Sequence, residues 1–191
     1  MMKLLVRNEA FGFELHRCEL IVANQPAFVE GAKFALGKFD MLFPNKSSTW
    51  TFQSYNTFAL TAGIPIYHQL YHELMAVIRS FSGHSEPLWF QSWINFHRPE
   101  EVLKWHGHRN CVHHGYISIR PHHTKTVFEA YEIANEIGNL YITRQVLKHK
   151  VEVVEPFDTP RITIAFDVFN QRNIEQIYAE NKYVNLSVLP V

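Results

Sequence analysis

The chain has 191 residues, 47% of them hydrophobic and 19% charged, and its 18 basic residues balance its 18 acidic ones. This composition supports a folded core and excludes intrinsic disorder, while the zero formal charge disfavours non-specific nucleic-acid binding. No apolar run approaches the ~18 residues that span a bilayer, and no signal peptide is recognisable. Two cysteines are too few for a disulfide framework. We expect one domain, residues 1–191, in the cytoplasm.

Residues 1–86 carry helical and mixed patterns. Phe11–Leu15 alternates weakly and is predicted to be an edge strand. Asn24 and Pro26 together form a helix-start signal, because asparagine caps helices and proline fits the first turn. A second helix is predicted to begin at Pro65, since apolar residues follow it at helical spacing: Ile66, Leu70, Leu74, Val77 and Ile78.

From residue 87 to residue 170 the chain is rich in short strand signals. The candidates are Leu88–His97, Val112–Ile119, Thr126–Tyr131, Leu140–Thr143, Lys150–Val154 and Arg161–Val168. The last one alternates clearly, with Ile162, Ile164, Phe166 and Val168 on one face and Arg161, Thr163, Ala165 and Asp167 on the other. We expect a mainly β fold, a double-stranded β-helix (jelly-roll) over residues 87–170 with N-terminal buttressing helices.

Seven of the 12 histidines lie between residues 97 and 123. Within this stretch, His106 and His108 are two residues apart, so in a strand their imidazoles face the same side. Neutral imidazole is a good ligand for Fe(II), Zn(II) or Cu(II). The isolated His149, just before a predicted strand, is the candidate third ligand.

Arg161 lies on the face of its strand opposite to the apolar residues. If that face lines the interior, the guanidinium needs an anionic partner, because an unpaired buried charge costs several kcal/mol. A small organic acid could pair with it in a bidentate way. A protein carboxylate, or a solvated strand face, is an equally open interpretation.

The remaining histidines are not predicted to bind the metal, and the role of His97 is left open. His68 and His72 are four residues apart on the predicted helix and are expected to be a surface pair. His113 and His114 are adjacent, so at most one can reach the same site as the His106 pair. Surface or supporting roles are expected for these two and for the turn residues His122 and His123.

Six segments between Trp93 and Phe166 carry a resemblance. They are Trp93-Ile-Asn95-Phe-His97-Arg-Pro99, Trp105-His106-Gly-His108, Gly115-Tyr116-Ile-Ser-Ile, Gly138-Asn-Leu-Tyr-Ile142, His149 and Arg161-Ile-Thr-Ile-Ala-Phe166. In these segments the chain resembles 2-oxoglutarate/Fe(II) oxygenases of bacteriophages and marine bacteria, in the prolyl-hydroxylase-like superfamily. A phage origin would place the protein in the host cytoplasm.

The resemblance implies a catalytic centre in which His106, His108 and His149 hold Fe(II). It also implies that Arg161, assisted by the Thr163 hydroxyl, binds the distal carboxylate of 2-oxoglutarate. Further cosubstrate contacts are expected from Asn95, which stands eleven residues before His106 as in the DNA-alkylation-repair branch, and from Tyr116. Trp105 is a candidate wall of the same pocket.

Position 108 departs from the family pattern, in which the usual triad is His-X-Asp plus a distant histidine. Fe(II) bound by two neutral histidines and one carboxylate has a net charge of +1, whereas Fe(II) bound by three neutral histidines has a net charge of +2. The departure leaves open a different metal, an unusual reaction or a retired active site.

The sequence therefore predicts a 2-oxoglutarate- and Fe(II)-dependent dioxygenase that acts on a small molecule or a peptide side chain. Two alternatives remain: a three-histidine, cupin-like metalloenzyme that does not use 2-oxoglutarate, and a non-catalytic jelly-roll binding module. Aromatic residues are numerous (15 Phe, 8 Tyr, 4 Trp), which is compatible with a homodimer. Metal affinity is expected to weaken below about pH 6, since only neutral imidazole binds metal.

Overall fold

The computed structural model describes residues 1–46, 49, 54–83, 86–98, 101, 103–144, 147–180 and 186–191. Pro99, the last residue of the Asn95 motif, lies outside them. The strands are β1 (Met2–Asn8), β2 (Phe13–Cys18), β3 (Trp89–His97), β4 (His113–Arg120), β5 (Thr124–Phe128), β6 (Glu132–Ala134), β7 (Asn139–Thr143), β8 (His149–Val153), β9 (Arg161–Phe169) and β10 (Leu189–Pro190). The helices are α1 (Glu19–Ala23), α2 (Gln25–Leu42), α3 (Thr57–Leu60), α4 (Pro65–Ser82) and α5 (Gln171–Glu180).

The strands form two antiparallel sheets. The large sheet has the order β1-β2-β7-β4-β9-β3-β10, and the small sheet has the order β6-β5-β8. From β3 onward the chain passes repeatedly between them, with β3, β4, β7 and β9 in the large sheet and β5, β6 and β8 in the small one. The prediction of a mainly β chain is confirmed, and the arrangement is jelly-roll-like.

Helices cover one face of the large sheet. α4 begins with Pro65 at its first turn and ends where Gly83 adopts a left-handed conformation, with φ of 64°. Phe58 packs on Phe90 of β3 at 5.7 Å between ring centroids, and Phe81 meets the ring of His113 on β4 at 5.2 Å. The predicted helices are therefore present and buttress the sheet. Across the described ranges, no helix combines the length and apolarity needed to cross a bilayer.

The N-terminal strand prediction was wrong in position and in kind. The strand begins at Phe13 rather than at Phe11, and it lies between β1 and β7 rather than at an edge. β1 occupies that edge instead, and the side chains within it are largely exposed on both faces. A strand without a buried face lacks the alternation that reveals strands in a sequence. The strand predicted over Thr126–Tyr131 also shifts, to Thr124–Phe128.

Replacing Gly115 with alanine is expected to destabilise the fold by about 1–3 kcal/mol, since overpacking a filled core forces neighbours apart. A Cβ at Gly115 would overlap the Tyr141 carbonyl and lie 2.6 Å from Cζ of Phe166. Urea denaturation measures the effect. The matched control is Gly37→Ala in α2, where a Cβ meets nothing within 4 Å and helix propensity predicts a gain of up to about 1 kcal/mol. Equal effects at the two glycines would contradict this account.

Candidate metal centre

A cavity of about 800 Å³ is lined by residues of both sheets. The large sheet contributes the alternate residues of β9, which the sequence pattern had placed on one face, and the small sheet contributes His149 of β8. The segment that joins β3 to β4 adds His106 and His108, and α5 adds Ile177. This cavity holds the candidate functional site.

Three histidines converge in the cavity. One ring nitrogen from each of His106, His108 and His149 lies within 4.8 Å of the other two. The backbones of His106 and His149 form an isolated antiparallel bridge with N–H···O distances of 3.0 and 2.8 Å, which brings their rings to 4.2 Å. The structure thus brings together the three residues that the sequence predicted as metal ligands.

Each of these imidazoles has a hydrogen-bond acceptor at its Nδ1 atom. The acceptors are the Lys104 carbonyl for His106 (2.9 Å), the Leu147 carbonyl for His149 (3.3 Å) and the Asp167 carboxylate for His108 (2.7 Å). A ring that donates through Nδ1 keeps its lone pair on Nε2. Protein metal ligands are commonly oriented in this way, so the hydrogen bonds fit a metal held by three Nε2 atoms.

The charge state of the three rings differs. Burial, together with the neighbouring His106 and His108, lowers the pKa of His149 to about 3. Burial likewise lowers the pKa of His106. Burial also opposes the charged form of His108, but the Asp167 carboxylate outweighs burial and raises the pKa of that ring. At neutral pH, therefore, His106 and His149 are neutral and able to bind metal.

Arg161 is almost fully buried, with 3% of its surface exposed, and its guanidinium lines the cavity. Its Nη1 donates to Nδ1 of His97 at 3.2 Å, and its Nε donates to the Thr124 hydroxyl at 3.3 Å. Among the described residues, no carboxylate lies within ion-pair distance of it. Burial lowers the pKa of Arg161 to about 10, so the group is still charged at pH 7. The sequence left open a protein carboxylate as the partner of Arg161. The described residues provide no such partner.

The other predicted cosubstrate contacts surround Arg161. Asn95 and Thr163 are cross-strand partners on β3 and β9, and Asn95 Nδ2 donates to Thr163 Oγ1 at 3.4 Å. The Tyr116 hydroxyl is buried without a well-formed hydrogen bond among the described residues. Burial raises the pKa of Tyr116 to about 12, so the phenol keeps its proton. All three side chains line the same cavity.

Most of the remaining histidines lie outside the cavity lining. His113 faces α4, where its Nε2 is 3.0 Å from the Ser82 hydroxyl. His122 stacks on Phe157, and His123 pairs with an exposed glutamate. The expected surface pair on α4, His68 and His72, is exposed, with 3.1 Å between its Nε2 atoms. Trp105 lines the cavity, as predicted, and is about half exposed.

Two cavity residues carried no functional assignment in the sequence. His114 of β4 stacks on His108 at 4.3 Å with the rings nearly parallel. Asp167 of β9 accepts the hydrogen bond from His108. The strand alternation had already placed Asp167 on the same face as Arg161, and that was the available signal. For His114, adjacency to His113 left undecided which of the two faces the cavity.

The metal-free protein is expected to lose stability as the pH falls from about 6.5 to 4. Burial, with the nearby Arg161 charge, lowers the pKa of His97 to about 3. The unfolded chain then takes up this proton first, so unfolding becomes easier by about 1.4 kcal/mol per pH unit for such a group. His149 behaves in the same way. The free energy of unfolding, measured by urea denaturation between pH 6.5 and 4, should fall less steeply with pH in His97→Asn than in wild type. An equal pH dependence in the two proteins would contradict the lowered pKa of His97.

A scan against protein-family models finds no match, and a search of curated protein sequences finds none either. Three solved structures are similar in fold. They are the non-heme monooxygenase ThoJ as a nickel complex (TM-score 0.54, 10% identity, 80% of this chain and 70% of that chain), apo HygX from Streptomyces hygroscopicus (0.55, 11%, 84% and 83%) and SnoN, a non-heme alpha-ketoglutarate-dependent epimerase from nogalamycin biosynthesis (0.50, 10%, 83% and 76%). At these identities the similarity establishes one point: the chain shares the fold of these three proteins.

Proposed function

We propose that the chain is a 2-oxoglutarate- and Fe(II)-dependent dioxygenase with a double-stranded β-helix core. The assignment to the phage and marine-bacterial type remains a prediction from the sequence motifs. One observation carries the proposal: a single cavity contains three convergent imidazoles and a buried arginine without a carboxylate partner among the described residues. A dicarboxylate that reaches from a metal to Arg161 would satisfy both features.

The donor set fits a divalent transition metal. His106, His108 and His149 would hold the ion through three neutral nitrogens, a set suited to Fe(II). When bound, Fe(II) would activate O2 as the oxidant, with 2-oxoglutarate as the two-electron co-reductant, so that one oxygen atom ends in the substrate alcohol and the other in succinate, with release of CO2. The protein would contribute positioning and a largely apolar cavity.

The residues around Arg161 fit a carboxylate. The guanidinium would pair with the distal carboxylate of 2-oxoglutarate, and His97, neutral because of its low pKa, holds the guanidinium without repelling it. Because Asn95 donates to Thr163 Oγ1, the Thr163 hydroxyl proton is free to bond the same carboxylate. The buried, protonated Tyr116 hydroxyl would provide a further donor.

The substrate we propose is a small molecule or a peptide side chain. The cavity lining also includes Leu103, Trp105, Phe169 and Ile177, which suit an apolar, C–H-bearing group. Two similar folds support the proposal by their descriptions, since ThoJ is a non-heme monooxygenase studied with nickel and SnoN depends on alpha-ketoglutarate.

Anaerobic titration tests the proposal. Metal-free protein is titrated with Fe(II) and then with 2-oxoglutarate, and the visible metal-to-ligand charge-transfer band is followed. We expect the band only when both are present, and slow succinate formation once air is admitted. Co-binding of succinate, which lacks the 2-oxo group, is the matched control and should give no band.

Two results would overturn the proposal. Stoichiometric metal binding without a charge-transfer band would favour a three-histidine, cupin-like enzyme that does not use 2-oxoglutarate. No metal binding at all would favour a jelly-roll binding module without catalysis.

A further inference from the structure

The metal-ligand histidines are not anchored alike. His106 and His149 donate through Nδ1 to uncharged backbone carbonyls, whereas His108 donates to the carboxylate of Asp167 at 2.7 Å. Both members of this pair are buried, with 9% of the His108 side chain and 6% of the Asp167 side chain exposed. A buried, charge-assisted hydrogen bond of this length is stronger than the neutral ones.

Asp167 is also the acidic residue next to the imidazoles. Among the described residues that line the cavity, Asp167 and Glu180 carry carboxylates. Glu180 is exposed and accepts hydrogen bonds from Asn110 and Gln176. Asp167 therefore supplies the negative charge nearest to a ligand set that is otherwise three neutral rings.

The fold holds the His108 ring so that this hydrogen bond sets its direction. β3 and β4 flank β9 on its two sides. His108 stacks on Trp93 from β3 at 5.8 Å and on His114 from β4 at 4.3 Å. Stacking restricts rotation of the ring about its Cβ–Cγ bond. The bond from Nδ1 to Asp167 adds a directional restraint, which also fixes where Nε2 points.

We propose that Asp167 provides the negative charge of the metal site through His108, so that the two residues together replace a carboxylate ligand. A carboxylate hydrogen-bonded to a ligand histidine raises the basicity of that ligand and fixes its tautomer. The site then partly recovers the charge balance that three neutral histidines alone would lack. Asp167 is a positioning residue in this scheme, because it reaches the metal only through the imidazole.

This inference rests on the proposed metal site, and Co(II) titration of the metal-free 191-residue chain tests the metal site and the role of Asp167 separately. The proteins compared are wild type, Asp167→Asn, Asp167→Ala and the control Glu14→Gln. Asparagine keeps an acceptor oxygen but removes the charge, and alanine removes both. Glu14 is a matched control because it forms a second buried carboxylate–histidine pair, with His16 at 2.8 Å, outside the cavity lining.

We expect Asp167→Asn to weaken Co(II) binding by about tenfold and Asp167→Ala by up to about 100-fold, the range known for outer-shell partners. At saturating Co(II), the visible d–d bands of both variants should shift from those of wild type. Glu14→Gln should match wild type in affinity and spectrum. Thermal unfolding of the metal-free proteins identifies any loss of fold. If Asp167→Ala does not fold, Asp167→Asn decides the question.

The outcomes are distinct. Failure of wild type to bind Co(II) would defeat the proposed metal site itself. Binding by wild type with equal affinity and an unchanged spectrum in Asp167→Asn would defeat the role of the Asp167 charge while the metal site stands. Equal losses in Asp167→Asn and Glu14→Gln would also defeat it, since the effect would then be a general one of removing a buried carboxylate.

Discussion

Replacing Arg161 with methionine is expected to weaken 2-oxoglutarate binding to the Fe(II)-loaded protein by at least about 30-fold. Truncating one partner of a buried, hydrogen-bonded charge pair costs about 2–5 kcal/mol, and each 1.4 kcal/mol is roughly tenfold. Arg161 is buried, and within the described ranges its guanidinium hydrogen-bonds only to His97 and Thr124. The charge-transfer band, followed against 2-oxoglutarate concentration, gives the affinity.

The control for this substitution is Arg120→Met. Arg120 is a half-buried arginine at the end of β4 whose Nε donates to the Pro160 carbonyl at 2.8 Å, and it does not line the cavity. Its replacement should leave 2-oxoglutarate affinity within about twofold. Arg161→Lys should fall between wild type and Arg161→Met, because lysine keeps the charge but not the two-point geometry. Similar losses in the Arg120 and Arg161 variants would remove the argument for a carboxylate site.

Replacing His149 with alanine is expected to lower metal affinity by more than the roughly 100-fold that outer-shell substitutions cost. His149 is one of three convergent donors, and its loss leaves two neutral nitrogens. Metal content after dialysis against Fe(II) or Co(II), measured by mass spectrometry, should fall from stoichiometric to near zero. Circular dichroism of the metal-free variant reports whether the fold is retained.

Two other histidines provide controls for the metal site. His123→Ala removes an exposed imidazole outside the cavity and should retain stoichiometric metal. His114→Asn removes a cavity imidazole that stacks on His108 but does not belong to the convergent set, so it should weaken metal binding much less than His149→Ala does. Metal retained in full by His149→Ala would show that the convergent donors are not the ligands.

Much of the site could be predicted from local patterns. A strand has a period of two, so the alternation in β9 was enough to place Arg161, Thr163 and Asp167 on one face, and these residues line the cavity. The proximity of His149 to His106 was different in kind. It depends on which strands pair across the fold, and strand order does not follow from sequence spacing. His149 was a candidate third ligand because it is isolated and precedes a predicted strand, and the resemblance to a known family implied the same grouping.

Other elements escaped prediction for physical reasons. β1 is exposed on both faces and has no apolar alternation. α5 has one buried residue, Ile177, so its apolar face is too narrow to stand out. A capping signal was available there, because Asn170 Oδ1 accepts a hydrogen bond from the Asn173 backbone. The His108–Asp167 pair joins residues 59 positions apart, and no local pattern connects them.

The convergent imidazoles are held by the two different sheets that line the cavity. His149 belongs to the small sheet, while His108 is bonded to the large sheet through Asp167. The distance between their nitrogens therefore follows the separation of the two sheets. Phe128 of the small sheet, which packs on Tyr141 of the large sheet at 5.0 Å and on His149 at 5.3 Å, acts as a spacer between these sheets. In the proposed metal site, the size of the Phe128 ring would therefore help to set metal affinity, although Phe128 itself offers no ligand atom.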